Sequence, residues 1–162
     1  MKFSTITEEN YPDVKNIYLE GIETGLATFE TSAPSWEIWN QDHLPFGRVL
    51  LTESGKSIAW GSLAPVSGRC VYGGVAEISV YVAANERGRG LGKIVLNELV
   101  RQSEENGIWT VQSGIMTGNV ASIKIHESCG FREIGYRERV SQINGVWMDN
   151  LMMERRSKIV GI

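Results

Sequence analysis

Apolar residues recur along this chain with two different periods, and the alternation between them lays out its elements. Val14, Ile17, Tyr18, Gly21 and Ile22 fall at i, i+3, i+4, i+7 and i+8, one face of a helix. Asn10 stands where it can cap that helix, with Pro12 in the first turn, Asp13 at the third helical position and Gly25 to end it. Lys2–Ile6 ahead of it predicts a short strand. Thr28–Thr31 predicts a loop or short extended piece, and Pro34-Ser35 opens a second helical region with Trp36 and Trp39 on one side. Arg48–Glu53 and Ser57–Ala64 predict strands joined through Ser54-Gly55-Lys56, a hairpin signal. Pro65–Gly68 is a turn and Gly73-Gly74 a break. Val75–Val82, rich in β-branched and aromatic residues, is the next strand.

The second half returns to the helical period. Leu91, Ile94, Val95, Leu96, Leu99 and Val100 cover a broad arc over Leu91–Glu105, the stripe of a helix packed on a sheet, and Gly107 ends it. Trp109–Ile115 predicts a strand. Asn119 can cap a short helix over Val120–Ser128, closed by Cys129-Gly130-Phe131. Phe131–Val140 and Val146–Arg155 are the last strands, joined at Asn144-Gly145. With no linker or repeat, residues 1–162 are expected to form a single domain. The order predicts an α/β protein of the α+β kind: one mixed, mostly antiparallel sheet, helices on both faces, and a parallel pair around the glycine-rich turn at residues 87–92.

Composition narrows the partners. Hydrophobic residues make up 42% of the 162 positions, enough for a core and against disorder. The net charge of −3 argues against nucleic acid or an anionic membrane surface as the ligand. Cys70 and Cys129 make no disulfide framework and fit a reducing compartment. No stretch is long and apolar enough to cross a bilayer, so a soluble, cytoplasmic protein is expected. No Cys/His cluster has metal spacing, so no metal is expected.

The densest chemistry lies in Arg87-Gly88-Arg89-Gly90-Leu91-Gly92, with Lys93 following. A basic, glycine-rich strand-to-helix turn suits a phosphate: the helix start leaves N–H groups without partners, the dipole favours an anion, and glycines let the backbone come close. A Walker loop does not fit, because Gly92-Lys93 is followed by Ile94. A dinucleotide fingerprint does not fit either, because Gly92 comes one place early. A basic turn with no ligand is the other reading.

Arg87, Gly90 and Gly92 do satisfy [QR]-x-x-G-x-[GA]. With Thr28-Phe29-Glu30, the strand Ala76-Glu77-Ile78-Ser79-Val80-Tyr81-Val82, and Gly118–Ile123 running on to His126 and Gly130-Phe131, the chain resembles the GNAT acetyltransferases, and within them the bacterial phosphinothricin and methionine sulfoximine N-acetyltransferase-like branch. The resemblance implies the GNAT fold, with its parallel strand pair splayed at an acetyl-CoA site. It implies direct acetyl transfer from acetyl-CoA to the amine of a small amino acid analogue of the phosphinothricin, methionine sulfoximine or methionine sulfone type, and a homodimer. Two rivals are a GNAT enzyme acting on a protein N-terminus or a polyamine, and a non-catalytic acetyl-CoA-binding module.

Under that resemblance the residues take roles. Glu77 is the candidate general base, its pKa expected to rise among apolar strand neighbours; a solvated or ion-paired strand Glu is the alternative. Val80 and Val82 offer backbone to the thioester and the pantetheine arm, with Tyr81 between them; ordinary sheet pairing is the alternative. The turn residues Arg87, Gly88, Arg89, Gly90, Leu91, Gly92 and Lys93 hold the pyrophosphate. Asn119 and Ser122 meet the pantetheine, and Asn119 can also be a plain helix cap. His126 stands where many relatives carry Tyr; it either protonates the leaving thiolate or only packs beside the cofactor. Phe29, Glu30, Val71 and Tyr72 are the expected acceptor contacts. Trp36, Trp39, Trp60, Trp109 and Trp147 are expected in the core, and His43 on the surface.

Overall fold

The computed structural model describes residues 1–162. All seven strands join one sheet in the order β1-β2-β3-β4-β5-β7-β6. β1 (Lys2–Thr5), β2 (Arg48–Glu53), β3 (Lys56–Pro65) and β4 (Val75–Val82) run antiparallel to one another, as do β5 (Thr110–Met116), β7 (Val146–Arg156) and β6 (Arg132–Ile143). The halves meet in a parallel pair, β4 against β5. Four helices complete the chain: α1 (Tyr11–Ile22), α2 (Trp36–Asp42), α3 (Leu91–Glu105) and α4 (Val120–Ser128). This is the α/β arrangement predicted, with mostly antiparallel pairing. The hairpins close as their dipeptides demand: Asn144 and Gly145 both have positive φ (50° and 80°), the requirement of a two-residue type I′ turn.

Each helix takes its place from its apolar stripe. α3 buries Leu91, Val95, Leu96, Leu99 and Val100 against Ala59, Leu63, Ala76 and Ile78. Gly61 of β3 permits this approach; a Cβ there would lie 2.5 Å from Leu99 Cδ1. α4 packs beside α3 on the same face. On the opposite face α1 and α2 bring Tyr11, Val14, Ile17 and Trp39 onto Leu50 and Trp60. Ring pairs tie this layer together: Tyr81 stacks on Trp60 at 4.7 Å and meets Tyr18 edge-on at 4.9 Å. Such pairs add about 0.5–1.5 kcal/mol each beyond area burial.

Several local expectations change. Asn10 does not cap α1: its side chain turns back, accepting from the Thr7 N–H (2.8 Å) and donating to the Thr5 carbonyl (3.0 Å), so it braces the strand-to-helix link instead. His43 is not a plain surface residue; its ring stacks on Trp39 at 4.2 Å. Trp147 lies 55% exposed on the β6–β7 hairpin, outside the core, because that hairpin extends beyond any helix. β6 runs on to Ile143 through an irregularity between Arg137 and Ser141, where Arg139 has φ of 47°.

The feature that positions the site is where β4 and β5 part. They pair only at Val75↔Thr110, Ala76↔Val111 and Glu77↔Gln112. Beyond that point β4 stays with β3 and β5 stays with β7. The sheet therefore opens at its middle, with backbone and side chains of Ile78–Val82 facing Ser113–Met116 across a gap.

Candidate active site

Two contiguous cavities fill this opening, of about 280 and 270 Å³. Val80, Tyr81, Asn119, Ser122 and His126 line both. One runs toward the glycine turn; the other passes through the sheet and opens beside Glu77 on the α1 face.

The turn end is made mostly of backbone. Gly88 and Gly90 have φ of 81° and 76°, and a Cβ at either would meet nothing, so shape there is set by conformation rather than by packing. Gly90 is the residue before α3 and no side chain caps the helix. The N–H groups of Leu91, Gly92 and Lys93 have no protein partner, and the first backbone bond runs from Ile94 to Gly90. Gly92 lets α3 lie close to α4; a Cβ there would sit 3.2 Å from Ile125 Cδ1. Uncapped helix N–H groups behind a turn without side chains fit a pyrophosphate.

The two turn arginines differ. Arg87 lines the cavity and donates to the Glu20 carbonyl at 3.2 Å, with no carboxylate partner. Arg89 is engaged elsewhere, paired with Glu53 at 2.7 Å and with Glu86. Of the expected cofactor residues, Val80, Tyr81, Val82, Arg87, Gly92, Asn119 and Ser122 line this cleft. Gly88, Arg89, Gly90 and Leu91 form the turn around it, and Lys93 points from the exposed side of α3.

Asn119 serves two elements at once. Its Oδ1 accepts from the Ser122 N–H at 3.2 Å, capping α4, and its Nδ2 donates to the Leu26 carbonyl at 3.2 Å. This holds the α1–α2 loop over the cavity junction. His126, one turn further along α4, is 5% exposed. Its Nδ1 lies 2.8 Å from the Ser122 carbonyl. A carbonyl only accepts, so Nδ1 carries the proton and Nε2 is the bare acceptor. Nε2 is buried without a partner. Burial holds the imidazole pKa below its ordinary 6.5, with the Ser122 bond opposing in part. His126 is thus a neutral acceptor, not a ready proton donor.

The Glu77 end is made of side chains. Side chains alternate along β4, so Ala76 and Ile78 enter the core and Glu77 takes the other face. No helix covers that face here, and Glu77 is exposed rather than enclosed by its apolar neighbours as expected. Phe29 lines the cavity, while Glu30 is exposed and lies off its lining. Val71 and Tyr72 are placed elsewhere: the Cys70–Tyr72 turn leaves them 66% and 47% exposed, with Tyr72 under the Arg69 guanidinium. Burial raises the pKa of Tyr18 and of Tyr81, which both remain neutral hydroxyls.

The sequence reading missed a wall of this cavity formed by Gly114 and Met116 of β5, Arg137 of β6, and Asn150 and Met152 of β7. Only Asn150 left a trace: an amide in a strand that otherwise buries Leu151 and Met153. No group of three or more His, Cys, Asp or Glu side chains is placed to hold a metal ion.

Comparisons with known proteins bear on this geometry. Residues 11–131 match the model of the acetyltransferase (GNAT) family. The phosphinothricin N-acetyltransferase of Alcaligenes faecalis is 27% identical over 93% of this chain and 79% of its own length. The L-methionine sulfoximine/L-methionine sulfone acetyltransferase of Pseudomonas aeruginosa is 34% identical over 59% of this chain, and the match spans 54% of that protein. Among solved structures, the ribosomal-protein-alanine N-acetyltransferase from Brucella melitensis superposes with a TM-score of 0.88 at 30% identity, covering 97% of this chain and 100% of that one.

Proposed function

This chain belongs to the GNAT acetyltransferase family and is an acetyl-CoA-dependent N-acetyltransferase, and on that premise we propose that its acceptor is the amine of a small amino acid analogue of the phosphinothricin, methionine sulfoximine or methionine sulfone type. The observation that carries this reading is the continuity of the two cavities through the opened sheet. A pyrophosphate-shaped turn stands at one end, a carboxylate at the other, and His126 at the junction.

Acetyl-CoA supplies an activated thioester. The chain's own residues do the rest. The uncapped start of α3 and Arg87 hold the diphosphate, and the free edge of β4 at Val80 and Val82 pairs with a peptide-like arm. Glu77 accepts the proton that the acceptor ammonium must lose before it can attack, directly or through water. The nitrogen sheds a second proton as the amide forms, and the departing sulfur gains one. His126 Nε2, an acceptor with its Nδ1–H pinned, can receive the former and pass it to the latter. The small cavity, bordered by Phe29 and closed over by the Asn119–Leu26 bond, suits a free amino acid analogue. The same reading puts the enzyme in the cytoplasm as a homodimer, with the exposed Tyr136, Val146 and Trp147 of the β6–β7 hairpin as its apolar surface.

Thiol release from acetyl-CoA tests the acceptor across methionine sulfone, methionine sulfoximine, phosphinothricin, methionine, a polyamine and a peptide beginning with alanine. At least one of the first three is expected to be acetylated, with methionine much poorer. A second reading, transfer to a protein N-terminus, has the Brucella melitensis structure behind it. Turnover of the peptide with none of the three analogues would establish that reading in place of the first.

A further inference from the structure

We infer that Arg137 and Asn150 together form an anchor for an α-amino acid, the guanidinium taking the carboxylate and the Asn150 amide oxygen taking the amine on the same carbon. This rests on the acceptor being an amino acid analogue, and it fixes which part of that molecule binds where.

Two groups carry it, one a buried acceptor without a partner and the other a solvent-exposed cation without a counter-ion. Asn150 is 5% exposed, and its Oδ1 has no hydrogen-bond partner. A buried carbonyl-type oxygen without a donor costs about 1–3 kcal/mol, so it calls for a donor that arrives with the ligand. Arg137 lines the same cavity and makes no ion pair; its guanidinium touches only the Met152 thioether, Nη1 to Sδ at 3.5 Å. Of the cations in the molecule, it alone lines this cavity. One group wants an N–H and the other an anion.

Register sets their spacing. Arg137 and Asn150 are direct cross-strand partners between β6 and β7. Such partners share a face, with Cβ atoms about 4.5–5.5 Å apart. Two side chains rooted side by side on one wall can converge on an amine and a carboxylate carried on one carbon. Register also places the pair along the gap. Glu77 is opposite Gln112, and Met116 is opposite Asn150. Strands advancing at about 3.3 Å per residue put Met116 level with Tyr81. Asn150 therefore stands across the gap from the Val80–Tyr81 backbone, where the acetyl group would be presented, while Glu77 lies a few residues further down. Gly114 lets the amide lie there: a Cβ on it would come 2.8 Å from Asn150 Nδ2. Asn150 positions the amine at the acetyl group, Arg137 sets its orientation, and Glu77 draws off the proton from below.

The test compares methionine sulfone with 3-(methylsulfonyl)propylamine, the same molecule without its carboxylate. The wild-type protein should prefer the sulfone in kcat/KM by about tenfold to a hundredfold, the range of a charge-assisted contact. Arg137→Met should bring the two within a few-fold by raising KM for the sulfone, with coenzyme A affinity unchanged, and Arg137→Lys should restore part of the preference. Asn150→Leu should slow both amines alike, because both present the amine. A wild-type ratio near one, or a ratio that survives Arg137→Met, overturns the anchor while leaving the acetyltransferase in place. Should neither amine turn over, calorimetric titration of methionine sulfone into the protein with coenzyme A decides separately: binding that Arg137→Met abolishes supports the anchor, and equal or absent binding in both proteins overturns it.

Discussion

The cleft that ends at the glycine turn and the cavity that opens at Glu77 share seven lining residues, yet they are built from different materials. The first has at its turn end the backbone of one continuous stretch, the end of β4 and the start of α3, with one face of α4 and the end of α1 laid beside it. The second is side chains from β4, β5, β6 and β7 and the loop after α1, brought together by the topology of the sheet. A backbone site needs particular φ angles and missing side chains, so it constrains the residue types in a short run. A side-chain wall needs only that each residue sit at the right register. The two ends should therefore fail separately: damage at one should leave binding at the other intact.

The largest separation is expected from Glu77→Gln. It removes the proton acceptor but no backbone, so coenzyme A affinity should stay as it is while kcat falls by about 10²–10⁴-fold. The deficit should narrow as pH rises, since more of the acceptor amine is then neutral unaided. Stopped assays across pH 6.5–9.5 read this. A variant that turns over like the wild type at neutral pH removes Glu77 from the mechanism.

Gly90→Asp attacks the other end. A Cβ at Gly90 meets nothing, and although a φ of 76° strains an L residue by about 1–2 kcal/mol, Asp tolerates this region better than most, so the fold should survive, as circular dichroism would report. The new carboxylate stands at the head of α3, where two like charges 4 Å apart repel by about 4 kcal/mol at an effective dielectric constant of 20. Coenzyme A affinity should drop by about a thousandfold in calorimetric titration. Unchanged affinity would show that the diphosphate is not held at this turn.

How much of each end could be read in the sequence follows from the same difference. The turn, Asn119 and the strand carrying Glu77 are legible because each is a local pattern: glycines before an apolar stripe, an amide before a helix, a charge in an apolar strand. The wall of Gly114, Arg137 and Asn150 is not, since three separate strands supply it and nothing local marks Arg137 among the charged residues of β6. Glu77's surroundings were misread for a related reason. Its apolar neighbours in sequence point to the other side of the sheet, and what covers Glu77 depends on which helices reach past β4. Val71 and Tyr72 came from resemblance and not from a local pattern: the loop that holds them turns outward at Cys70–Tyr72, and neither lines the cavity of its own chain.

Gly114→Ala sharpens the comparison at smaller scale. The added methyl would lie 2.8 Å from Asn150 Nδ2 and 3.4 Å from Met152 Sδ, so the amide must move. Misplacing a binding group by about 1 Å can cost up to a hundredfold, and with only the near edge displaced we expect roughly a tenfold rise in KM for the acceptor. Coenzyme A affinity should not change. A fall in coenzyme A affinity equal to the KM effect would mean that the two ends are mechanically one.

The smallest effect tests the junction through its titration. His126 and His43 both have folded pKa values held below the ordinary 6.5, in each case chiefly by burial. Below pH 6.5 the unfolded chain takes up protons that the folded chain refuses, and stability falls wherever the unfolded state binds more protons as pH drops. Their contribution is therefore fully present above pH 6.5 and declines as pH falls from there toward the two folded values. The carboxylates of Glu98, lowered from 4.5 by its bond from Arg101, and of Glu104, where burial pushes upward but the bonds from Arg155 and Ser157 together outweigh it, begin to lose their own contribution only as pH falls below about 4.5, so the windows are distinct. Replacing His126 with Gln keeps a donor for the Ser122 carbonyl but removes the titrating ring. Urea denaturation should then show a shallower loss of stability between pH 7 and 5 than the wild type, with the remainder due to His43. An unaltered slope would mean that His126 is protonated as easily in the fold as out of it, and with that its reading as a neutral acceptor at the meeting point of the two cavities would fall.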